Sequence, residues 1–423
     1  MKEIEVVLQK IEEGQVEEGL QKLKLAKEKA THDQLYSIAE IYYELGHLKE
    51  AKEILEELMV LYPDEGAVLI QLAEILIDLD EEDEAIELLL EIKDHDPIFL
   101  QAQLLLADLY QMQALDEVAE QKLLMAAKQA PEEVIVSFGL GDFYLGRGDY
   151  QKSIPYLKKA LHQKSELPEE VRIELKLAEA YSAGGQFEEA LHYYKEGLKD
   201  YFEPHALFGY GFTAYQVGDM VLAIEQLEAL KALDPDFTSL YPYLAKAFEA
   251  ENRLDEAMDA LRAGMTVDDY NDQLYLLAGK LSFKQQDPQQ GIDYLRQAIA
   301  INPSNLEATQ TLAAYLKSEQ QYEELLELLD HIDDLGEGGD PLLTWYKANA
   351  FHQEEQFELA NQNYQEVISH FQEDPDFLED FIQFLFENGE RKKATPYLHK
   401  LLELVPSRED LRELLMDVEN ENF

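Results

Sequence analysis

Between residues 35 and 59 the apolar positions fall into two sets. Leu35, Ile38, Ala39 and Tyr42 lie at i, i+3, i+4 and i+7, and Ala51, Leu55, Leu58 and Met59 at i, i+4, i+7 and i+8. Each set is one face of an α-helix, so the segment predicts two amphipathic helices. Gly46 supplies the turn that reverses the chain between them. Ala39 and Ala51 are small because the two helices cross there, where a larger side chain would cost about 1–3 kcal/mol by overpacking. Pro63 ends the second helix by steering Tyr62 out of the helical region. No stretch of the chain alternates with period two over a strand length, so the prediction is an all-α protein.

The same pattern recurs. In another copy it reads Leu106-Ala107, Tyr110, Ala114, Ala119, Ala126 and Pro131, and in a third Tyr210-Gly211, Gly218, Ala223 and Pro235. The small residue of the second helix can be followed through Gly19, Ala51, Ala85, Ala119, Ser153, Ala190, Ala223, Ala257, Gly291, Leu325, Ala360 and Ala394, at intervals of 32–37 residues and most often 34. Twelve copies at that pitch fill nearly the whole of the 423 residues. No single copy can bury its own apolar face, so neighbours must stack and share a core.

These residues resemble the tetratricopeptide repeat (TPR) family, whose unit is a helix–turn–helix of about 34 residues. The resemblance covers residues 1–408. It departs from the family pattern at Leu325 and where the helix-ending proline is replaced by Thr31, Ser165, Phe202, Asp269, Glu337 and Gln372. It implies an all-α, right-handed superhelical solenoid of tandem repeats, and the character is similar to the acidic, cytoplasmic TPR proteins of Gram-positive bacteria. Two places break the rhythm, Gln163–Glu170 and the glycine-rich link Gly336–Pro341, and both are candidate hinges. They suggest an N-terminal array over 1–168 (repeats 1–5), a middle array over 169–340 (repeats 6–10) and a C-terminal pair over 341–408 (repeats 11–12). In the remaining 409–423, Leu411, Leu414, Leu415 and Val418 form one apolar stripe, the mark of a capping helix.

Composition narrows the function. With 35 Lys+Arg against 88 Asp+Glu the formal charge is −53, which excludes binding to nucleic acid by phosphate neutralisation. The absence of cysteine excludes disulfides, thiol catalysis and cysteine-based zinc sites. The acid-rich start lacks a signal-peptide core, no apolar run is long enough to span a membrane, and a cytoplasmic location is expected. The ten histidines form no pair at i+3 or i+4, so no helical zinc pair is predicted. Gly139-Leu140-Gly141 hints at a phosphate loop, but its third glycine position is Tyr144 and no strand precedes it. Asp78–Glu84 resembles the start of a calcium loop, yet Asp83 and Leu89 stand where glycine and a bidentate glutamate are required. No nucleophile elbow is present, and acid pairs are inevitable among 88 carboxylates. Neither an enzyme nor a cofactor or metal is predicted.

The remaining candidate is a binding face. The family resemblance implies that first helices line a concave groove. The position after their small residue reads Glu40, Glu74, Asp108, Asp142 and Glu179, then Phe212, Lys246 and Lys280. Lys284 and Lys317 lie close by in the pattern, and aromatic residues fall on the same stripe: Tyr36, Phe138, Phe208, Tyr215, Phe283 and Trp345. Solubility alone does not call for exposed phenylalanine. The expectation is a groove acidic over its first repeats and basic further along. It would capture a protein partner carrying a basic segment and stay monomeric until that partner arrives. The acidic positions argue against the family's carboxylate clamp in repeats 2–6. The alternative is an architectural protein that self-associates through its end repeats, and behind it an enzyme subunit.

Overall fold

The helix pair read at residues 35–59 is present as His32–Glu44 and Leu48–Leu61. The second helix stops one residue before Tyr62, whose φ of −133° and ψ of 67° leave the helical region ahead of Pro63. The computed structural model describes residues 7, 9–10, 15–168, 171–199 and 201–420. Among them every regular element is helical: 24 α-helices from Val16–Lys27 to Glu409–Asn420, and one 3-10 turn at Lys164–Glu166. The Gly139–Gly141 stretch lies inside the helix Val134–Gly146, so it forms no phosphate loop.

A single turn geometry closes the first helix of every repeat from the second to the twelfth. The residue five before the second-helix small residue has positive φ: Gly46, Asp80, Ala114, Gly148, Gly185, Gly218, Asn252, Gln286, Gln320, Glu355 and Gly389. In the first of these turns the N–H of Gly46 bonds to the carbonyl of Tyr43 at 2.9 Å, and the N–H of His47 to that of Tyr42 at 2.8 Å. This nested pair is a Schellman motif, which satisfies carbonyls that the helix end would otherwise orphan. The sequence reading attributes the turn to glycine, yet six of these eleven positions are not glycine.

The expected helix crossings are close. Ala39, Ala51, Ala73 and Ala85 are wholly buried. In the fifth repeat the Ser153 hydroxyl donates to the Gly141 carbonyl across the crossing at 2.6 Å. In the ninth repeat a Cβ on Gly291 would lie 3.2 Å from the Gly279 carbonyl oxygen, so the two backbones nearly touch.

Two compact units divide the chain, Met1–Thr213 and Ala214–Phe423. Within each, helices adjacent in sequence pack side by side, the solenoid class of all-α fold. The N-terminal unit is built around Ile38, Leu55, Leu72 and Ile75, with a second cluster around Leu123, Leu140 and Phe143. The C-terminal unit has a cluster around Leu295, Leu312 and Leu329, and a strongly aromatic one around Tyr364, Phe377, Phe381 and Phe384. Leu411 and Val418 of the final helix bury into the latter, as a capping helix should. Of the two irregularities, Gln163–Glu170 holds the 3-10 turn, with residues 169 and 170 outside the described set. In the other, Gly336 and Gly339 take positive φ before Asp340, which caps the helix Pro341–Gln353 by accepting from the Leu343 N–H at 3.0 Å.

Candidate functional site

Several first helices touch the first helices of neighbouring repeats. Val134–Gly146 meets Ile173–Ala183, and Asp272–Lys284 meets Leu240–Ala250 and Leu306–Ser318. The residue after each small crossing residue occupies one register position on the first helices. In the N-terminal unit this position is held by Glu40, Glu74, Asp108, Asp142 and Glu179. Glu74 accepts from the Gln101 amide at 3.2 Å, and Asp142 pairs with Lys176 at 2.6 Å. Glu40 and Asp108 carry no ion pair among the described residues. Burial pushes the Glu40 carboxyl up, helped by Glu44. Burial likewise raises Glu74, Asp78 adding to it and the Gln101 bond opposing it. Asp108 is raised by the protein packed around it and then by Asp142, although its side chain still reaches solvent. The phenols between them respond in the same sense. Burial raises Tyr36, followed by Glu40, Glu74 and Glu65, and takes Tyr43 to about 12 with help from Asp78. These carboxyls and phenols are all biased toward their neutral forms, chiefly by burial.

At its far end lies a cleft of about 670 Å³, lined in part by Phe138, Arg172, Lys176, Glu179, Tyr194, Tyr201 and Gly209. Gly209 is needed here, since a Cβ would sit 2.3 Å from the Tyr194 hydroxyl. The Arg172 guanidinium lies 4.7 Å over the Tyr201 ring, and its buried Nε has no hydrogen-bond partner among the described residues. Glu203 spends its carboxylate on the N–H groups of His205 and Ala206 at the start of the helix Pro204–Val217. On that helix Phe208 and Phe212 stack, with centroids 6.1 Å apart, and both remain partly exposed.

The basic positions of the C-terminal unit are occupied internally. Lys280 pairs with Glu307, and Lys284 with Glu249 at 3.2 Å. Lys246 lies 5.7 Å over the Tyr243 ring, which also meets Tyr215 edge-on at 5.8 Å, and Phe283 stacks on Tyr315 at 4.6 Å. Lys317 reaches across a whole repeat to Asp380 at 2.8 Å. The Trp345 indole N–H donates to the same carboxylate at 2.9 Å, and the Lys317 ammonium sits 4.5 Å over the indole. The reading of Trp345 as an exposed stripe aromatic is corrected: it is 6% exposed, packed among Tyr346, Phe371 and Phe377. An indole has one donor and a large apolar body, and Asp380 lets both be buried.

Sequence reasoning missed Lys176, Gln101 and Asp380, the residues that decide which stripe charges are already satisfied. They lie 27–63 residues from their partners, so only the repeat register could have paired them. Among the described residues no cluster of His, Asp and Glu is arranged to hold a metal ion, and no helix is long and apolar enough to cross a membrane.

Family profiles match along the chain. One described as YpiA-like, C-terminal tetratricopeptide repeats covers residues 341–408, and one described as YpiA-like, tetratricopeptide repeats covers 111–165. General tetratricopeptide-repeat profiles match 144–207 and 272–305. The TPR repeat-containing protein YpiA of Bacillus subtilis (strain 168) is 39% identical over 419 residues, spanning 99% of this chain and 98% of its own. Among solved structures, YrrB, described as a TPR protein with an unusual peptide-binding site, is 18% identical, with a TM-score of 0.39 over 44% of this chain and 95% of its own. PilF of Pseudomonas aeruginosa is 19% identical, with a TM-score of 0.41 over 51% of this chain and 97% of its own.

Proposed function

Because the chain belongs to the tetratricopeptide-repeat family, we propose that it is a non-enzymatic scaffold that captures a protein partner on the acidic first-helix face of its N-terminal unit. The observation that carries this reading is the set Glu40, Glu74 and Asp108, three carboxylates at one register position on successive repeats, none with an ion-pair partner among the described residues. First helices of adjacent repeats pack about 8–10 Å apart. Two charges at about 10 Å repel by about 0.4 kcal/mol in water, and by more where protein displaces water. A basic segment of the partner relieves that repulsion as it docks, while Phe138, Phe208 and Phe212 cover its apolar residues. The C-terminal unit, with Lys280, Lys284 and Lys317 already paired, adds little attraction for an acidic segment. The scaffold is monomeric until its partner binds.

Crosslinking and pull-down at low salt supplies the partner, and a salt series on variants supplies the test. Converting Glu74, Asp108 and Asp142 to Lys is expected to slow association steeply at low ionic strength. Phe212→Ala is expected to speed dissociation instead. Unchanged affinity of the charge-reversed protein at low salt would reduce the acidic face to a solvated surface and end this reading.

A further inference from the structure

The acidic face begins at a second, smaller cleft of about 400 Å³ in the N-terminal unit. Leu58 and Val68 form its floor, 2% and 5% exposed. Tyr36 and Tyr62 stand at its sides, and the exposed carboxylates of Asp33 and Glu65 at its rim. Tyr62 is held in place: its hydroxyl is 2.6 Å from Nδ1 of His32, and the two rings meet edge-on at 5.4 Å. Neither Asp33 nor Glu65 has an ion-pair partner among the described residues. No lysine lines the cleft; Lys27 pairs with Glu57 and Lys93 with Asp64.

We propose that this cleft is a subsite for an arginine side chain of the basic segment, which rests on the scaffold reading above and names the residue that anchors it. A long basic side chain uses both parts of the cleft, its methylenes against Leu58 and Val68 and its charged head against the carboxylates. Arginine is selected over lysine by shape. Its planar guanidinium stacks on tyrosine faces and presents paired N–H donors to carboxylate oxygens, whereas an ammonium is a compact point charge. The surroundings favour the cation further, since Tyr36 also feels the carboxylates of Glu40 and Glu74 on the adjoining face.

The test uses the full chain and three capped peptides of one sequence, carrying two arginines, two lysines or two citrullines, titrated by calorimetry at low salt. The arginine peptide is expected to bind at least several-fold more tightly than the lysine peptide, and the citrulline peptide not at all. In the double variant Asp33→Asn, Glu65→Gln, affinity for the arginine peptide is expected to fall about tenfold, the equivalent of one charge-assisted contact, and Tyr62→Ala is expected to lower it as well. Asp33 and Glu65 also lie at helix N-termini, where negative charge is favourable. If that were their whole role, the double variant would lower the melting temperature and leave peptide affinity unchanged, which overturns the proposal. Equal binding of arginine and lysine peptides overturns it too. A loss of binding with Glu74→Gln, Asp108→Asn but none with Asp33→Asn, Glu65→Gln would reject the subsite and leave the scaffold reading standing. Failure of all three peptides to bind would reject both.

Discussion

Ala114 turns the chain between the helices Phe99–Met112 and Asp116–Gln129 with φ at 57°. In that left-handed region the Cβ of an L-residue crowds the following carbonyl at a cost of about 1–2 kcal/mol, which glycine escapes. Glycine gives back about 0.5–1 kcal/mol through the greater freedom of its unfolded chain. Ala114 is exposed, so its methyl group contributes no burial. Ala114→Gly is therefore expected to stabilise the N-terminal unit by about 0.5–1 kcal/mol, the difference of those costs. Glu355→Gly, at the same φ in the C-terminal unit, is expected to do likewise. Asn252 is an internal control, because asparagine tolerates this region and Asn252→Gly should gain much less. Ala114→Val, with its branched Cβ, should destabilise. Urea titrations followed by far-UV circular dichroism resolve differences of this size. A loss of about 0.5–1 kcal/mol in Ala114→Gly, the ordinary effect of glycine in a helix, would refute the shared turn geometry.

Ala85→Leu and Ala257→Leu place extra methyl groups at two crossings where no surface is exposed; each is expected to cost about 1–3 kcal/mol and to make unfolding multi-phase, because repeats are held by nearest-neighbour contacts. A uniform shift of a single transition in denaturant melts, or no shift, would contradict the crossing assignment. Glu74→Gln, Asp108→Asn should raise stability at neutral pH, since folding raises both carboxyl pKa values and so disfavours their ionised forms. This advantage should shrink as pH falls through the raised pKa values toward the ordinary carboxylate range near about 4, and thermal melts across that window showing an advantage that grows would contradict it. Asp380→Asn should cost about 1–2 kcal/mol, between the values for exposed and buried ion pairs, and should change tryptophan emission, since the ammonium of Lys317 loses its counter-ion beside the indole.

The pitch of the repeat was legible because small residues are needed wherever two backbones cross, and Ala39, Ala51 and their equivalents keep that register through the chain. The turns were only partly legible. Glycine at 46, 148 and 218 announces left-handed backbone, whereas Asp80, Gln286 and Glu355 adopt it because the nested hydrogen bonds of the Schellman motif impose it. The acidic half of the candidate face could be read from residue types at one register position. Its basic half could not, because the fate of Lys280 and Lys317 depends on Glu307 and Asp380, which the sequence reading did not place on that face. Trp345 was misjudged for a related reason. A stripe position is exposed only if its neighbours leave it so, and Tyr346, Phe371 and Phe377 do not.

The lone tryptophan also sets what an optical experiment on this protein can see. Trp345 sits in the aromatic cluster of the last repeats, against Asp380 and beneath Lys317. Its emission samples that end of the chain, whereas circular dichroism sums over every helix. Fluorescence and dichroism melts of a repeat protein then follow different segments, and a gap between the two curves measures how unevenly the repeats are held together. Trp345 is not among the acidic-face residues, so an affinity measured on that face needs its reporter on the partner.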